Sequence, residues 1–109
     1  MANTFKLKTK ANVGVTTVGI YTAPAATTTV VIGITMANTS GSGVNVGVGI
    51  TRAGATEDVK LLKNAPVPQG SSLEFMAGNK IVLEATDTVT VDSDTYNSVD
   101  AALTNMEIT

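Results

Sequence analysis

The 109-residue sequence contains no cysteine, no histidine and no tryptophan, and only two phenylalanines and two tyrosines. Without cysteine the fold has no disulfide, so its stability has to come from packing, tight turns or association between chains. Without histidine the chain lacks the commonest general base and the commonest transition-metal ligand. These absences exclude catalytic triads that need histidine, and they predict a non-enzymatic protein with no catalytic residue, no cofactor and no metal site.

Charged side chains are absent from residues 11 to 51, a stretch of 41 positions. Within it apolar residues alternate with threonine, glycine and asparagine, which is the pattern of β-strands with one buried face. Uncharged strands lack the lysine, proline or inward-facing charge that usually keeps a sheet edge from pairing with another chain. We therefore expect these strands to be covered, and a second copy of the chain is one candidate for the cover.

The residues that are abundant favour β-structure. Threonine occurs 18 times and valine 14 times, and β-branched side chains fit a pleated sheet better than a long helix. The length predicts one domain, residues 1 to 109. The longest apolar run, Val30 to Ile34, is far shorter than the about 20 residues of a membrane helix. The N-terminus lacks the apolar segment of a signal peptide, so we expect synthesis in a cytoplasm and no membrane partner.

Two strands stand out in the first half. In Thr28 to Asn38 alternation places Val30, Ile32, Ile34 and Met36 on the inner face, and in Val44 to Thr51 it places Val44, Val46, Val48 and Ile50 there. The turn residues of 38 to 43 lie between them and predict that the two strands form a hairpin.

Shorter strands are expected in the second half, and turns recur every 8 to 12 residues. The predicted strands are Asp58 to Leu62, Ser72 to Met76, Lys80 to Ala85, Asp87 to Asp92 and a last strand from Val99 to the C-terminus. A stiff loop is predicted at 64 to 70 and a turn at 77 to 79. In the last strand a bulge near Thr104 and Asn105 would bring Met106 and Ile108 onto the inner face. Eight or nine strands predict an all-β antiparallel sandwich of Greek-key or jelly-roll type, with a small closed barrel as the alternative.

The N-terminal segment is the first candidate contact surface. Lys6, Lys8 and Lys10 alternate with Phe5 and Leu7, so residues 1 to 10 form a basic arm or an edge strand. The net charge is −2, but residues 1 to 51 carry +3 and residues 52 to 109 carry −5. This asymmetry favours head-to-tail contact between copies, unless both regions are simply solvated faces.

Three glycines form the second candidate surface. Gly33, Gly47 and Gly49 fall on the non-core side of the predicted hairpin, although glycine inside a strand costs about 0.5 to 1 kcal/mol relative to alanine. Close approach of a neighbouring subunit would offset this cost, and strong twist or bulging is the alternative explanation.

Other kinds of site have weaker support in the sequence. Asp87, Asp92, Asp94 and Asp100 flank one loop and could seed a calcium site, but their spacing does not match an EF-hand, and a solvated acidic loop is favoured. The Gly41 to Gly43 turn precedes a strand rather than a helix, so it is not a phosphate loop. An acidic chain with few aromatics also does not favour nucleic-acid binding.

Several segments carry a family resemblance. These are the opening MANTFKLKTK, the block YTAPAATTTVVIG, and, between Pro66 and Ile108, the blocks PVPQGSSLEF, GNKIVLEA, DTVTV and SVDAALTNMEI. They resemble small β-rich virion proteins of tailed bacteriophages, and the resemblance spans most of the chain.

The resemblance implies a structural role in a virion. The first expectation is a capsid decoration or cement protein, a trimer that binds the major capsid protein through strand edges and the basic arm. A tail, neck or fibre-associated structural protein is the alternative. A carbohydrate-binding module for host attachment is a third, although such sites usually present aromatic platforms and the chain offers only Phe5, Tyr21, Phe75 and Tyr96.

Overall fold

The computed structural model describes residues 3–75 and 80–109, so the predicted turn at 77 to 79 and the predicted strand end at Met76 lie outside the described residues. The described residues form nine strands and no helix. They are β1 (Asn3–Val13), β2 (Val18–Thr22), β3 (Thr28–Asn38), β4 (Val44–Thr51), β5 (Asp58–Val67), β6 (Ser72–Glu74), β7 (Ile81–Leu83), β8 (Thr88–Ser93) and β9 (Val99–Ile108).

The strands form two antiparallel sheets. The β1 sheet has the order β1-β9-β3-β6, with β7 also pairing with β3, and the β2 sheet has the order β2-β8-β4-β5. If β6 and β7 are taken as one position, β1 pairs with β9, β2 with β8, β3 with β6 and β7, and β4 with β5. A long folded ribbon rolled up in this way gives a jelly roll. The predicted all-β sandwich is confirmed.

One apolar core lies between the two sheets. It takes alternate residues of β4, where Val44, Val46, Val48 and Ile50 are buried, and the buried Val89 and Val91 of β8. From the β1 sheet it takes residues of β3 and β9. Period-two burial follows from the pleat, because successive side chains of a strand point to opposite faces.

The predicted hairpin of β3 and β4 is wrong. β3 belongs to the β1 sheet and β4 to the β2 sheet, so the turn between them crosses from one layer to the other. Asn38 shapes this crossing, since its Nδ2 donates to the carbonyls of Ser42 and Val67 and its Oδ1 accepts from Ser40. A turn-rich loop is compatible with either a hairpin or a crossing, and only the long-range pairing of each strand decides between them.

The predicted inner face of β3 is half wrong, although the bounds of the strand are confirmed. The register with β9 shifts between Val31 and Gly33, which leaves Ile32 as an extra residue in a β-bulge. Beyond the bulge Ile34 and Met36 are buried as predicted, but before it Val31 points inward and Val30 outward.

The bulge predicted in the last strand is absent, since β9 keeps its register with β1 from Ala101 through Ile108. Its inner positions therefore continue from Leu103 to Asn105 and Glu107, both of which are buried. Met106 lies on the outer face, together with Ile108.

β5 is longer than predicted. It continues through Pro66 to Val67, where a loop was expected, and Val59 and Leu61 lie exposed on an edge strand. Proline is tolerated there because the edge of a sheet does not need every N–H group.

Candidate assembly surface

β1 is an edge strand of 11 residues, and in the described part of the chain it pairs only with β9. Its residues from Asn3 to Asn12 are all exposed, and only Val13 is buried. One side of β1 therefore presents unpaired backbone N–H and C=O groups along its length. Such an edge is a template for pairing with another strand.

An apolar row crosses the outer face of the β1 sheet. Phe5 lies opposite Met106, Met106 lies opposite Val30, and Val30 lies opposite Val82, so the row spans β1, β9, β3 and β7. Directly opposed residues share a face of the sheet. We name the set Phe5, Val30, Val82 and Met106 the outer row.

The outer row is open to solvent at both ends, where Phe5 is 70% exposed and Val82 is 62% exposed. Leu7, 63% exposed, extends it on β1, and Ile108 does so on β9. The positions of β1 on this face, from Asn3 to Ala11, carry no charge. Contiguous exposed apolar surface of this kind usually marks a contact site.

The three predicted lysines lie on the opposite face of β1. Lys6, Lys8 and Lys10 pair with Asn105, Leu103 and Ala101, the inward positions of β9. Lys6 is engaged within the chain, because its Nζ lies 3.2 Å from Oε1 of Glu107. The basic stripe and the outer row thus occupy two different faces of one edge strand.

Glu107 is the centre of a buried polar network that sequence reasoning missed. Its Oε2 accepts a hydrogen bond from the Tyr21 hydroxyl at 2.7 Å, and that hydroxyl also lies 2.8 Å from Oγ1 of Thr29. The hydrogen bond from Tyr21, together with the Lys6 ammonium, lowers the pKa of Glu107 in spite of its burial. Burial and the bond to Glu107 raise the pKa of Tyr21 to about 12. The network ties β1, β2, β3 and β9 together.

The predicted glycine surface is divided between the two outer faces of the molecule. Gly33 lies in the β1 sheet opposite Thr104, next to the outer row, whereas Gly47 and Gly49 lie in the β2 sheet. Each glycine makes room for an acidic side chain of its own subunit. A Cβ would lie 3.1 Å from Glu74 Oε1 at Gly33, 2.5 Å from Asp92 Oδ1 at Gly47 and 2.5 Å from Asp58 Oδ2 at Gly49.

The acids above Gly47 and Gly49 belong to an ionic cluster on the β2 sheet. Lys60 Nζ lies 2.8 Å from Asp58 Oδ2 and 2.9 Å from Asp92 Oδ2. Burial would raise the pKa of Asp58, but the bonds from Lys60, Thr90 and Thr51 hold it below its ordinary value. Burial would likewise lower the pKa of Lys60, and the two carboxylates raise it instead.

The four aspartates weighed as a calcium site lie apart. Asp87 is bound by Arg52, Asp92 by Lys60, Asp94 by the backbone N–H of Asn45, and Asp100 by that of Asn12. Among the described residues no three acidic side chains gather as a metal site would require. No helix in ranges 3–75 and 80–109 is long and apolar enough to cross a membrane.

Two of the four aromatic side chains are unavailable for a carbohydrate platform, because Tyr21 is buried and Phe75 packs against the core. Phe5 and Tyr96 are exposed.

No protein-family model and no curated protein sequence matches this chain. A solved structure of Bacillus endospore appendages, described as a novel family of disulfide-linked pili, is similar over 99% of this chain and 87% of its own, with a TM-score of 0.56 and 17% sequence identity. At this identity the likeness shows a shared fold. A structure of infectious bursal disease virus, Gt strain, aligns over 98% of this chain and 40% of its own, with 13% identity and a TM-score of 0.24, which is too low to indicate a common fold.

Proposed function

We propose that this chain is a non-enzymatic structural subunit that assembles with copies of itself through β1 and the outer face of the β1 sheet. The observation that carries the proposal is the outer row, which joins an uncharged apolar surface to a long unpaired strand edge. A second chain that covered the outer row and the free edge of β1 would bury apolar side chains. It would also form hydrogen bonds with the unpaired backbone groups of β1.

The energetics favour repeated contacts over a single pairwise one. Full burial of a Leu, Val or Phe side chain contributes about 1.5 to 3 kcal/mol, and Phe5, Leu7 and Val82 are already about one-third buried. Their combined gain therefore stays near the lower end of the about 4 to 15 kcal/mol that association costs. Backbone pairing along β1, or several contacts per subunit, is needed for stable association.

Within this class, the sequence resemblance supports a phage capsid decoration protein, a trimer bound to the major capsid protein. In that role Lys8 and Lys10, exposed on the face of β1 opposite to the outer row, would meet acidic surface of the shell. Replacing Lys6, Lys8 and Lys10 with alanine should lower occupancy on particles, and the loss should grow with salt concentration. Unchanged occupancy would contradict this role, and a copy number of a few to tens per particle would favour the tail or neck alternative.

A filament subunit is the second candidate. It is favoured by the fold that this chain shares, over nearly its whole length, with a pilus protein. A heterologous contact, in which the outer row meets a different surface of the next copy, builds rings or filaments rather than closed dimers. Because this chain has no cysteine, such a filament would be held together without disulfides.

The experiment is to measure the size of the purified protein across concentration by light scattering, with electron microscopy of the same samples. Phe5→Ser combined with Leu7→Ser should shift the protein to monomer. The matched control is Val59→Ser combined with Leu61→Ser, which removes two exposed apolar side chains from the other long edge strand, β5. A wild-type protein that stays monomeric, or a control that dissociates as readily as the test variant, would contradict the proposal.

A further inference from the structure

Asn105 is fully buried, and neither its Nδ2 nor its Oδ1 has a hydrogen-bond partner among the described residues. A buried amide without partners is unfavourable, because it has lost its bonds to water and gained none in return. Native proteins contain few such groups, and each one calls for a physical explanation.

The neighbours of Asn105 supply the explanation. Lys6 lies directly opposite on β1, and Glu107 follows two positions later on the same inward face of β9. Directly opposed residues of an antiparallel pair have Cβ atoms about 4.5 to 5.5 Å apart, a span that a lysine side chain easily covers. Nζ of Lys6 is also held 3.2 Å from Oε1 of Glu107. An amine, an amide and a carboxylate are thus neighbours on two paired strands, with the Lys6 side chain 46% exposed and that of Glu107 8% exposed.

We propose that Lys6 and Asn105 join in an intramolecular isopeptide bond, with Glu107 as the group that moves the proton. The carboxylate of Glu107 accepts a proton from the Lys6 ammonium, and the free amine attacks Cγ of Asn105. The Nζ–Cγ bond forms and the Cγ–Nδ2 bond breaks. Glu107 gives this proton to the departing Nδ2, which leaves as ammonia, and it takes up the second proton that Nζ loses as it becomes an amide nitrogen. The reaction requires no oxidant and no cofactor.

The rest of the network suits this role. The Tyr21 hydroxyl holds Oε2 of Glu107 at 2.7 Å, which leaves Oε1 for Lys6. The same hydrogen bond lowers the pKa of Glu107, so its carboxylate stays charged and holds the Lys6 ammonium beside it. The product removes one of the unpaired groups of Asn105 and locks the edge strand β1 to β9.

The test is the intact mass of the purified, folded protein, followed by a tryptic map. We expect the mass to fall below the sequence mass by one ammonia, trypsin to leave the bond after Lys6 uncut, and the map to contain a branched peptide with Lys6 and Asn105. Lys6→Arg, Asn105→Ala and Glu107→Gln should each restore the full mass expected for the variant. Lys8→Arg, whose lysine lies opposite Leu103, is the matched control and should still lose ammonia.

Circular dichroism of each variant shows whether it is folded, and the conservative Lys6→Arg variant keeps the charge beside Glu107. A wild-type chain at full sequence mass, after long incubation at neutral and mildly alkaline pH, would overturn the proposal. So would a loss of ammonia that persists in Lys6→Arg, because Asn105 would then have cyclised on its own backbone. Neither outcome depends on whether the protein assembles, so this inference stands or falls separately from the proposed function.

Discussion

At the scale of single residues, the strand glycines have a local explanation. Gly47 and Gly49 face outward on β4, and the carboxylates of Asp92 and Asp58 occupy the space that their side chains would fill. These carboxylates are held in place by Lys60, so they cannot move aside freely. A role of the glycines in a subunit interface stays a prediction, but the fold needs them for its own packing.

Gly47→Ala should destabilise the protein by about 1 to 3 kcal/mol, as overpacking does in a well-packed site. The new Cβ would lie 2.5 Å from Asp92 Oδ1 and 3.2 Å from the Leu62 carbonyl oxygen. Gly41→Ala is the control, since an added Cβ meets nothing within 4 Å there. Urea unfolding of both variants measures the difference, and equal free energies of unfolding would show that the ionic cluster yields easily.

The hydroxyl of Tyr21 is predicted to contribute about 1 to 3 kcal/mol, because its removal leaves Oε2 of the buried Glu107 without its hydrogen-bond donor. Tyr21→Phe keeps the ring and removes only this group. Tyr96→Phe is the control, since Tyr96 is 78% exposed. Chemical unfolding at neutral pH should show a loss for the first variant and little change for the second.

The hydrogen bond between Tyr21 and Glu107 also predicts that the stability of the protein depends on pH. Folding lowers the pKa of Glu107 below its ordinary value of 4.5, so the unfolded chain holds the proton more tightly. The stabilisation is therefore complete above about pH 4.5 and is lost as the pH falls through the folded pKa. Asp58 and Asp87, whose pKa values are also lowered, add to this acid sensitivity. Free energies of unfolding measured between pH 7 and pH 3 should fall less steeply for Tyr21→Phe than for wild type.

At the scale of strands and loops, buried polar side chains fix the connections. Asp87, in the turn between β7 and β8, accepts hydrogen bonds from the backbone N–H groups of Ala53 and Glu84 and contacts Arg52 Nε at 3.0 Å. Burial would raise the pKa of Asp87, and these bonds lower it instead. One carboxylate therefore joins the end of β4 to the start of β8.

Asp87→Asn should cost about 1.5 to 3 kcal/mol, because an amide cannot accept from all of these donors and it removes the charge that faces Arg52. Asp94→Asn is the control, since Asp94 is exposed and accepts mainly from Asn45. Thermal unfolding by circular dichroism compares the two variants. A similar change in melting temperature for both would contradict the structural role of Asp87.

The registers of β3 and β9 create the outer row. The bulge at Ile32 turns Val30 outward, and the uninterrupted register of β9 turns Met106 outward beside it. Either residue alone would be an ordinary exposed apolar side chain. Together with Phe5 and Val82 they form a continuous surface, which is why the strand irregularities matter for the proposed assembly.

At the scale of the whole molecule, the two sheets share one core, so they should unfold together. Buried residues of both sheets form a single cluster, and β1 pairs with β9 across nearly the full length of the chain. We expect one unfolding transition for the monomer, with coincident curves from far-ultraviolet circular dichroism and tyrosine fluorescence. Two separate transitions would show that one sheet is stable without the other.

Local alternation and the preferences of β-branched residues were enough to predict the all-β class, the bounds of β3 and β4, and the inward valines of β4. The sequence also placed Lys6, Lys8 and Lys10 on one face of a first strand. These features need no knowledge of which strands pair.

Long-range strand pairing places β3 and β4 in different sheets, turns Val30 and Met106 outward, and buries Asn105 and Glu107. Each depends on register, and a shift of one residue exchanges the two faces of a strand. The bulge at Ile32 shifts the register of β3, and no residue pattern in the sequence indicates it. The sequence likewise gives no sign that β9 lacks a bulge. The charge-free segment from 11 to 51 therefore contributes strands to both sheets and crosses between them after β3. The exposed apolar surface lies where β1, β9, β3 and β7 meet in register.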